Sequence, residues 1–296
     1  MKVQKRHSKS LSLNKLTPRS LPHRTRWEQS KRIKLIPLLL LIGMLVVNGW
    51  AENKKLEPYS PELVKKAEGG DAKAQFSLGN SYYNGNGVIQ DYKEAVKWLT
   101  KAAGQGNADG QFRLGRCYSD GKGVTQDYKE AVKLYVKAAE QGNAKAQNNL
   151  GIRYYNGKGV TQDYKEAVRL WTKSAEQGNA NAQHNLGNSY YNGKGVIQDY
   201  KEAVRWWTKS AEQGNVIAQY EIGSCYYKGE GATQDYEEAL KWYTKAAEQG
   251  NAKAQNNLGI RYLNDEDFTL DKKEVLKSIT KAAENAQKAL EKLKSK

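Results

Sequence analysis

The chain has 296 residues, of which 39% are hydrophobic and 27% are charged, and it contains only 5 prolines. This composition excludes a collagen-like or proline-rich disordered chain and is typical of one to three folded domains. With 3 histidines and 2 cysteines, the chain also lacks the residues for a disulfide-rich scaffold or a zinc module. The formal net charge of +16 would suit a nucleic-acid or membrane partner, so the position of the charges matters.

The N-terminal segment 1–51 carries most of the basic excess. It holds 11 of the 48 lysines and arginines but only one of the 32 acidic residues, Glu28. An apolar run of 13 residues follows at Leu35–Val47, which is shorter than the roughly 20 residues that span a bilayer. Basic residues, a short apolar run and small residues before a cut after Ala51 are typical of a secretory signal peptide.

Two alternatives to a cleaved signal peptide stay open. The segment could instead be an uncleaved signal anchor, or a basic arm that binds nucleic acid. We expect export to the periplasm or the exterior, with a mature chain that begins near Glu52. Membrane contact is expected only through the leader, and a membrane-anchored form is the alternative.

A 36-residue period organises the chain from residue 71 to residue 284. A Leu-Gly or Ile-Gly pair, an aspartate and a tyrosine each recur six times in one register. Periods of 20 to 50 residues are typical of solenoid proteins. The predicted units are 71–106, 107–142, 143–178, 179–214, 215–250 and 251–284.

Each unit predicts two helices, here called helix A and helix B. In the third unit, Asn143 is a typical N-cap for helix A, and the glycines at 157 and 159 end that helix. Asp163, three residues before Glu166, predicts a variant of the capping box at the start of helix B. Gly151 lacks a Cβ, and we expect it to let a neighbouring helix approach closely. No segment alternates as strands do, so the fold class is all-α.

These residues resemble the Sel-one-like repeat family, a relative of the tetratricopeptide repeat. Its pattern A-x-A-Q-x-x-L-G-x-x-Y-x-x-G-x-G-V-x-x-D-Y-x-x-A-x-x-W is nearly complete within 179–214. The resemblance implies a right-handed superhelical solenoid of six 36-residue α/α hairpins with a concave face. Capping helices are expected at both ends, within the linker segment 52–70 and as a helix extension over 285–296.

The resemblance also implies a binding groove. In the tetratricopeptide hairpin, positions five and nine of helix A point into the concave face, if the Leu-Gly pair is counted as positions seven and eight. These positions vary between units, which is expected of ligand contacts but equally of solvated sites. Asparagine amides there could bind a peptide backbone, and an arginine could bind a carboxylate. The predicted groove residues are Phe76, Asn80, Phe112, Arg116, Asn148, Ile152, His184, Asn188, Tyr220, Ser224, Asn256 and Ile260.

Nothing in the pattern points to catalysis or cofactor binding. His184 is the one histidine beyond the leader, and no nucleophile motif accompanies it, so a surface or groove contact is expected. The repeated Gly-x-Gly pairs follow helices and lack the third glycine of a dinucleotide fingerprint, which indicates turns. We predict no catalytic residue, no cofactor and no metal.

The two cysteines occupy equivalent places three units apart. Cys117 and Cys225 are 108 residues apart, too far in a solenoid for the roughly 7 Å between Cα atoms that a disulfide allows. We expect both to be small buried apolar residues. A cysteine-rich branch of the family, with penicillin-binding or β-lactamase activity, has a cysteine pair in every hairpin, and no unit here has one.

Units one to three and units four to six look like copies of one block. Residues 143–154 and 251–262, for example, are identical. Either slippage during gene expansion or selection for two equivalent binding surfaces would explain this duplication.

The sequence thus predicts an exported, monomeric, non-enzymatic scaffold that binds a protein or peptide partner through its concave face. A β-lactamase-like or penicillin-binding hydrolase is the alternative. Nucleic-acid binding is not expected, because acidic residues are interspersed among the basic ones throughout the repeats.

Overall fold

The computed structural model describes residues 56–264, together with Thr280, Glu284 and Glu291. The predicted leader and its cleavage site lie outside these described residues, as do helix B of the sixth unit and the extension over 285–296 apart from the three residues named. Over 56–264 every helix or strand assigned is an α-helix. In chain order the helices are α1 (Pro61–Glu68), α2 (Ala72–Asn84), α3 (Tyr92–Gly104), α4 (Ala108–Asp120), α5 (Tyr128–Glu140), α6 (Ala144–Asn156), α7 (Tyr164–Glu176), α8 (Ala180–Asn192), α9 (Tyr200–Glu212), α10 (Val216–Lys228), α11 (Tyr236–Glu248) and α12 (Ala252–Asn264).

The helices form two layers. The even-numbered helices from α2 to α12 are the A helices of repeats one to six. The odd-numbered helices from α3 to α11 are the B helices of repeats one to five. Each helix packs against the next one along the chain. Helix α1 takes the place of a preceding helix B, because its Leu63 and Ala67 share a buried cluster with Trp98 of α3. The predicted all-α solenoid is confirmed.

Helix ends follow the predicted capping residues. Asn143 Oδ1 accepts a hydrogen bond of 2.9 Å from the backbone N–H three residues later. Asp163 Oδ1 accepts two, of 2.9 and 3.0 Å, from the N–H groups two and three residues later. Gly157 ends α6 with φ at 65°, a left-handed conformation that glycine adopts without a steric cost. Local capping chemistry therefore sets both ends of α6 and the start of α7.

The predicted capping box at the start of each helix B is only half formed. The Glu166 carboxylate does not return to the N-cap; it forms an ion pair with Arg169 one turn later at 2.6 Å. The N–H of Asp163 donates instead to the carbonyl of Tyr154 at 3.0 Å. That prediction was wrong for the glutamate, because the loop already satisfies the N–H that the carboxylate would have accepted.

A glutamine at position four of helix A joins three helices. Gln147 Nε2 donates to the carbonyl of Ala139 in the preceding helix B at 3.3 Å. Its Oε1 accepts from Gln177 Nε2, just after its own helix B, at 2.7 Å. Since Gln147 is only 4% exposed, leaving its amide unpaired would cost about 1–3 kcal/mol. The same pair recurs at Gln75–Gln105, Gln111–Gln141, Gln183–Gln213 and Gln219–Gln249.

The glycine at position eight of helix A admits a large side chain from helix B. A Cβ added at Gly151 would lie 2.6 Å from Trp171 Nε1 and 2.7 Å from Trp171 Cδ1. The indole Nε1 donates to the carbonyl of Asn148 at 3.1 Å, so the ring is fixed in this position. The close approach expected at Gly151 is confirmed.

In repeats two to five, the second glycine of the loop touches the preceding repeat. At Gly159 φ is 81°, and a Cβ there would lie 2.3 Å from the carbonyl oxygen of Tyr128, in the first turn of the preceding helix B. Gly123, Gly195 and Gly231 make the same approach. The Gly-x-Gly pairs are therefore turns, as predicted, and they are also contacts between repeats.

We expect Gly151→Ala to lower the free energy of unfolding by about 1–3 kcal/mol, because the added methyl group overlaps Trp171. Gly104→Ala is the matched control. No atom lies within 4 Å of a Cβ at that exposed helical site, and alanine there should stabilise by up to about 1 kcal/mol. Urea unfolding followed by circular dichroism measures both changes. If the urea midpoint of Gly151→Ala equals that of the wild type, the close approach of α6 and α7 at this site does not contribute to stability.

Candidate functional site

The predicted groove residues lie on the A-helix layer but differ in exposure. Three are buried, at 3%, 8% and 5% exposure: Asn80, Phe112 and Asn148. Seven are half-buried: Phe76, Arg116, Ile152, His184, Asn188, Tyr220 and Ser224. Two are exposed: Asn256 and Ile260. The half-buried and exposed side chains are the ones that solvent reaches.

Some of these side chains take part in packing of helix A against helix B. The Phe112 ring centroid lies 6.1 Å from that of Tyr135. Asn188 Oδ1 accepts a hydrogen bond of 3.0 Å from Trp207 Nε1. Positions five and nine therefore flank the large helix B residue at one edge and meet solvent at the other.

Asn148 is engaged by its protein neighbours. Its Oδ1 accepts from Asn185 Nδ2 of the next repeat at 3.1 Å, and its Nδ2 donates to Asn149 Oδ1 at 3.2 Å. A peptide could reach this amide only by displacing those bonds. The peptide-clamping role expected of Asn148 is thus less favourable than it is for the half-buried positions.

His184 lies on the same layer, half-buried, with its Nε2 at 3.4 Å from Asn188 Nδ2. Burial lowers the pKa of its imidazole, so the ring is neutral at pH 7. Among the described residues, no cluster of three or more histidine, cysteine, aspartate or glutamate side chains could hold a metal ion. None of the described helices has the length and apolar character needed to cross a bilayer.

Cys117 and Cys225 are free and buried, as predicted. Burial raises the pKa of the Cys117 thiol to about 11 and that of Cys225 to about 12. Both therefore stay protonated at neutral pH, and they behave as small apolar side chains. With one cysteine in each of two repeats, the pairs that would favour the hydrolase alternative are missing.

Two arginines that the sequence analysis did not single out lie beside this face. Arg113 and Arg153 occupy positions six and ten of helix A in repeats two and three. The guanidinium carbon of Arg113 lies 5.0 Å from the ring centroid of Tyr83, and that of Arg153 lies 4.8 Å from the ring centroid of Tyr128. Each arginine therefore reaches back to the preceding repeat. The sequence could have indicated this cluster, because Arg113, Arg116 and Arg153 place three arginines in two adjacent A helices.

The loops also reach the preceding repeat. Lys194 Nζ lies 3.1 Å from the hydroxyl oxygen of Tyr155, and Lys122 Nζ lies 5.2 Å from the ring centroid of Tyr83. In repeat five the same place holds Glu230, which accepts a hydrogen bond of 2.8 Å from the Tyr191 hydroxyl. One edge of the A layer is therefore bordered by side chains that alternate tyrosine with charge.

The model of the Sel1 repeat family matches six consecutive segments, 72–107, 108–143, 144–179, 180–215, 216–251 and 252–292. The chain belongs to the Sel1 repeat family. This confirms the resemblance read from the repeat pattern, and each matched repeat begins one residue after the predicted unit boundary. Sel1 repeat proteins typically bind protein partners and are generally non-catalytic scaffolds.

Solved Sel1 repeat structures resemble this one. A Sel1 repeat protein from Oxalobacter formigenes is 36% identical, with 72% of this chain and 85% of that chain covered and a TM-score of 0.65. A protective antigen present in uropathogenic Escherichia coli strains, which displays an SLR fold, is 35% identical with a TM-score of 0.54. That match covers 76% of this chain and 56% of the antigen. A comparison with curated proteins finds no match.

We expect Ellman's reagent to label the two native thiols roughly a hundredfold more slowly at pH 8 than it labels them in concentrated guanidinium chloride, because little thiolate forms at such raised pKa values. A Thr125→Cys variant is the control, since this loop position is exposed. Its added thiol should react at an ordinary rate without denaturant. Rapid labelling of the native wild type would contradict the burial of Cys117 and Cys225.

Proposed function

We propose that this Sel1 repeat protein is an exported, monomeric, non-enzymatic scaffold that binds a protein or peptide through the face formed by its A helices. The observation that carries the proposal is a contrast within each A helix. The positions that pack keep their residue type in every repeat, namely the glutamine at four and the glycine at eight. The half-buried positions beside them change from repeat to repeat.

The solvent-facing residues of the B-helix layer, in contrast, vary little between repeats. Its outer side repeats one exposed ion pair between residues three apart, Glu94–Lys97, Glu130–Lys133, Glu166–Arg169, Glu202–Arg205 and Glu238–Lys241. Exposed pairs of this kind contribute at most about 1 kcal/mol each and give a uniform, solvated surface. Such a surface offers no basis for recognising one partner over another.

The A-helix layer offers a mixed surface. Position five presents Phe76, His184 and Tyr220 half-buried, while position nine presents Arg116 and Ile152. Aromatic residues and arginine are enriched in the centre of protein interfaces, because they bury a large area at a small entropic cost. This variety over a rigid helical frame favours protein recognition.

Site-specific photo-crosslinking tests the proposed face. We expect p-benzoylphenylalanine at Ile152 or Ser224 to give a crosslinked partner in the host cells, identified by mass spectrometry. The same label at Lys97 or Lys241, which are exposed on the B layer, should give none. Equal crosslinking from both layers, or crosslinking from the B layer alone, would place the binding surface elsewhere.

We further propose that segment 1–51 directs export and is removed after Ala51. N-terminal sequencing of the exported protein should find a chain that begins near Glu52. The control variant Leu39→Arg/Leu40→Arg interrupts the apolar run and should keep the full-length chain in the cytoplasm. If only full-length chain is recovered, and alkaline carbonate does not extract it from membranes, the segment is an anchor.

A further inference from the structure

The two three-repeat blocks carry opposite charges at equivalent places on the A layer. Repeat two and repeat five share their fold, yet several polar positions of helix A and its loop differ. At a spacing of 108 residues, four of these pairs are Arg113 and Glu221, Arg116 and Ser224, Asp120 and Lys228, and Lys122 and Glu230, while Asp109 and Ser119 correspond to Ile217 and Tyr227. Three of the four positions reverse in sign, and the fourth loses its charge. The blocks are therefore not two equivalent binding surfaces.

In repeat two, the arginines are incompletely neutralised. Arg116 is half-exposed, and its Nη2 lies 3.8 Å from Asp120 Oδ2, which is at the outer limit of an ion pair. The Arg113 Nε atom is buried without a hydrogen-bond partner. Burial, and then the charge of Arg116, lower the pKa of Arg113. Asp109, the other nearby carboxylate, accepts a hydrogen bond of 2.8 Å from Asn143.

Repeat three adds a third arginine to this cluster. Arg153 Nη2 donates to Ser119 Oγ, and the Ser119 hydroxyl in turn donates to Asp120 Oδ1 at 3.3 Å. The Nε atom of Arg153 is also buried without a hydrogen-bond partner. Asp120 thus meets Arg116 directly and Arg153 through Ser119, and the three arginines outnumber Asp109 and Asp120, so the cluster keeps an excess of positive charge.

The equivalent place in repeat five lacks the two arginines and holds glutamates instead. Glu221 is half-buried, and burial raises the pKa of its carboxyl group. Lys253 and Lys228 lie close enough to act against that rise. Glu230 lies 3.7 Å from Lys228 and accepts from Tyr191, so the acidic groups here are already partnered by the protein.

We propose that the A-helix face of repeats two and three binds an acidic segment of the protein partner, with a carboxylate held by Arg113 and Arg116, and that repeats five and six have no such site. The inference rests on the proposed function. Arginine binds carboxylates through two parallel hydrogen bonds, and residues three apart on a helix are neighbours. The weak, exposed contact between Arg116 and Asp120 is easily replaced by a partner carboxylate.

Two blocked, fluorescein-labelled decapeptides of glycine and serine are the probes, one with three consecutive central glutamates and the other with glutamines in their place. Fluorescence anisotropy with the wild-type protein at low salt should show about tenfold tighter binding of the glutamate peptide, since charge-assisted hydrogen bonds contribute about 1.5–3 kcal/mol each. Equilibrium dialysis should give one bound glutamate peptide per chain.

Each test variant takes its residues from the other block, so the fold already accommodates them at the equivalent places. Arg113→Glu/Arg116→Ser should reduce binding of the glutamate peptide about tenfold, to the level of the glutamine peptide. Glu221→Arg/Ser224→Arg should raise the number of bound glutamate peptides from one to two. The control Lys97→Glu/Lys133→Ser makes the same change in net charge on the B layer and should leave binding unaltered.

Three results would overturn the inference. The first is equal binding of the two peptides, including no binding of either, and the second is an equal loss of binding in the B-layer control. The third is tighter binding of a single-stranded DNA decamer than of the glutamate peptide, with that binding lost in Arg113→Glu/Arg116→Ser.

Photo-crosslinking from Ile152 separates this inference from the proposed function. If the crosslinked partner persists in Arg113→Glu/Arg116→Ser, the face binds protein without the arginine site. If Ile152 gives no partner in either chain, the proposed function itself fails.

Discussion

The glutamine at position four of helix A holds the stack of helices in register. Gln147 donates to the end of the preceding helix B and accepts from Gln177 at the end of its own, so one buried amide fixes three helices. A hydrophobic contact could slide by a fraction of a turn, whereas these hydrogen bonds tolerate little change in distance or angle. The A layer is therefore presented as a rigid surface, which lowers the entropic cost of binding a partner.

Much of this fold could be predicted from the sequence because its causes are local. The caps at Asn143 and Asp163 and the left-handed glycine at 157 act within a few residues, and they recur every 36 residues. The choice between two local partners was harder to predict. The ion pair of Glu166 with Arg169 competes with the capping box, and a period does not show which partner wins.

The helices that carry the candidate residues could be predicted, but the contacts of those residues could not. Helical spacing puts positions five and nine on one side of helix A, yet it does not show that the neighbouring repeat covers Asn148 with Asn185. It also does not show that Arg113 reaches back over Tyr83. Both contacts depend on how closely two A helices approach each other, which the three-dimensional structure alone defines.

The duplicated blocks show how a repeat protein separates folding from recognition. The glutamine at position four and the glycine at position eight are the same in repeats two and five, so both repeats keep the same contacts between helix A and helix B. Arg113 and Glu221 occupy equivalent places at the edge of that shared frame, where a change of charge alters the surface and leaves the core intact. Recognition can thus diverge between blocks without a change in architecture.

The loops contact the preceding repeat, so the contacts between repeats join residues that are close in the sequence. Gly159 lies against the Tyr128 carbonyl, and the longest side-chain hydrogen bonds in the described part, such as that of Tyr191 with Glu230, join residues 39 positions apart. A force applied to the two ends would therefore break one interface at a time. Each repeat that unfolds would lengthen the chain by about 120 Å, so the protein would extend in discrete steps under force.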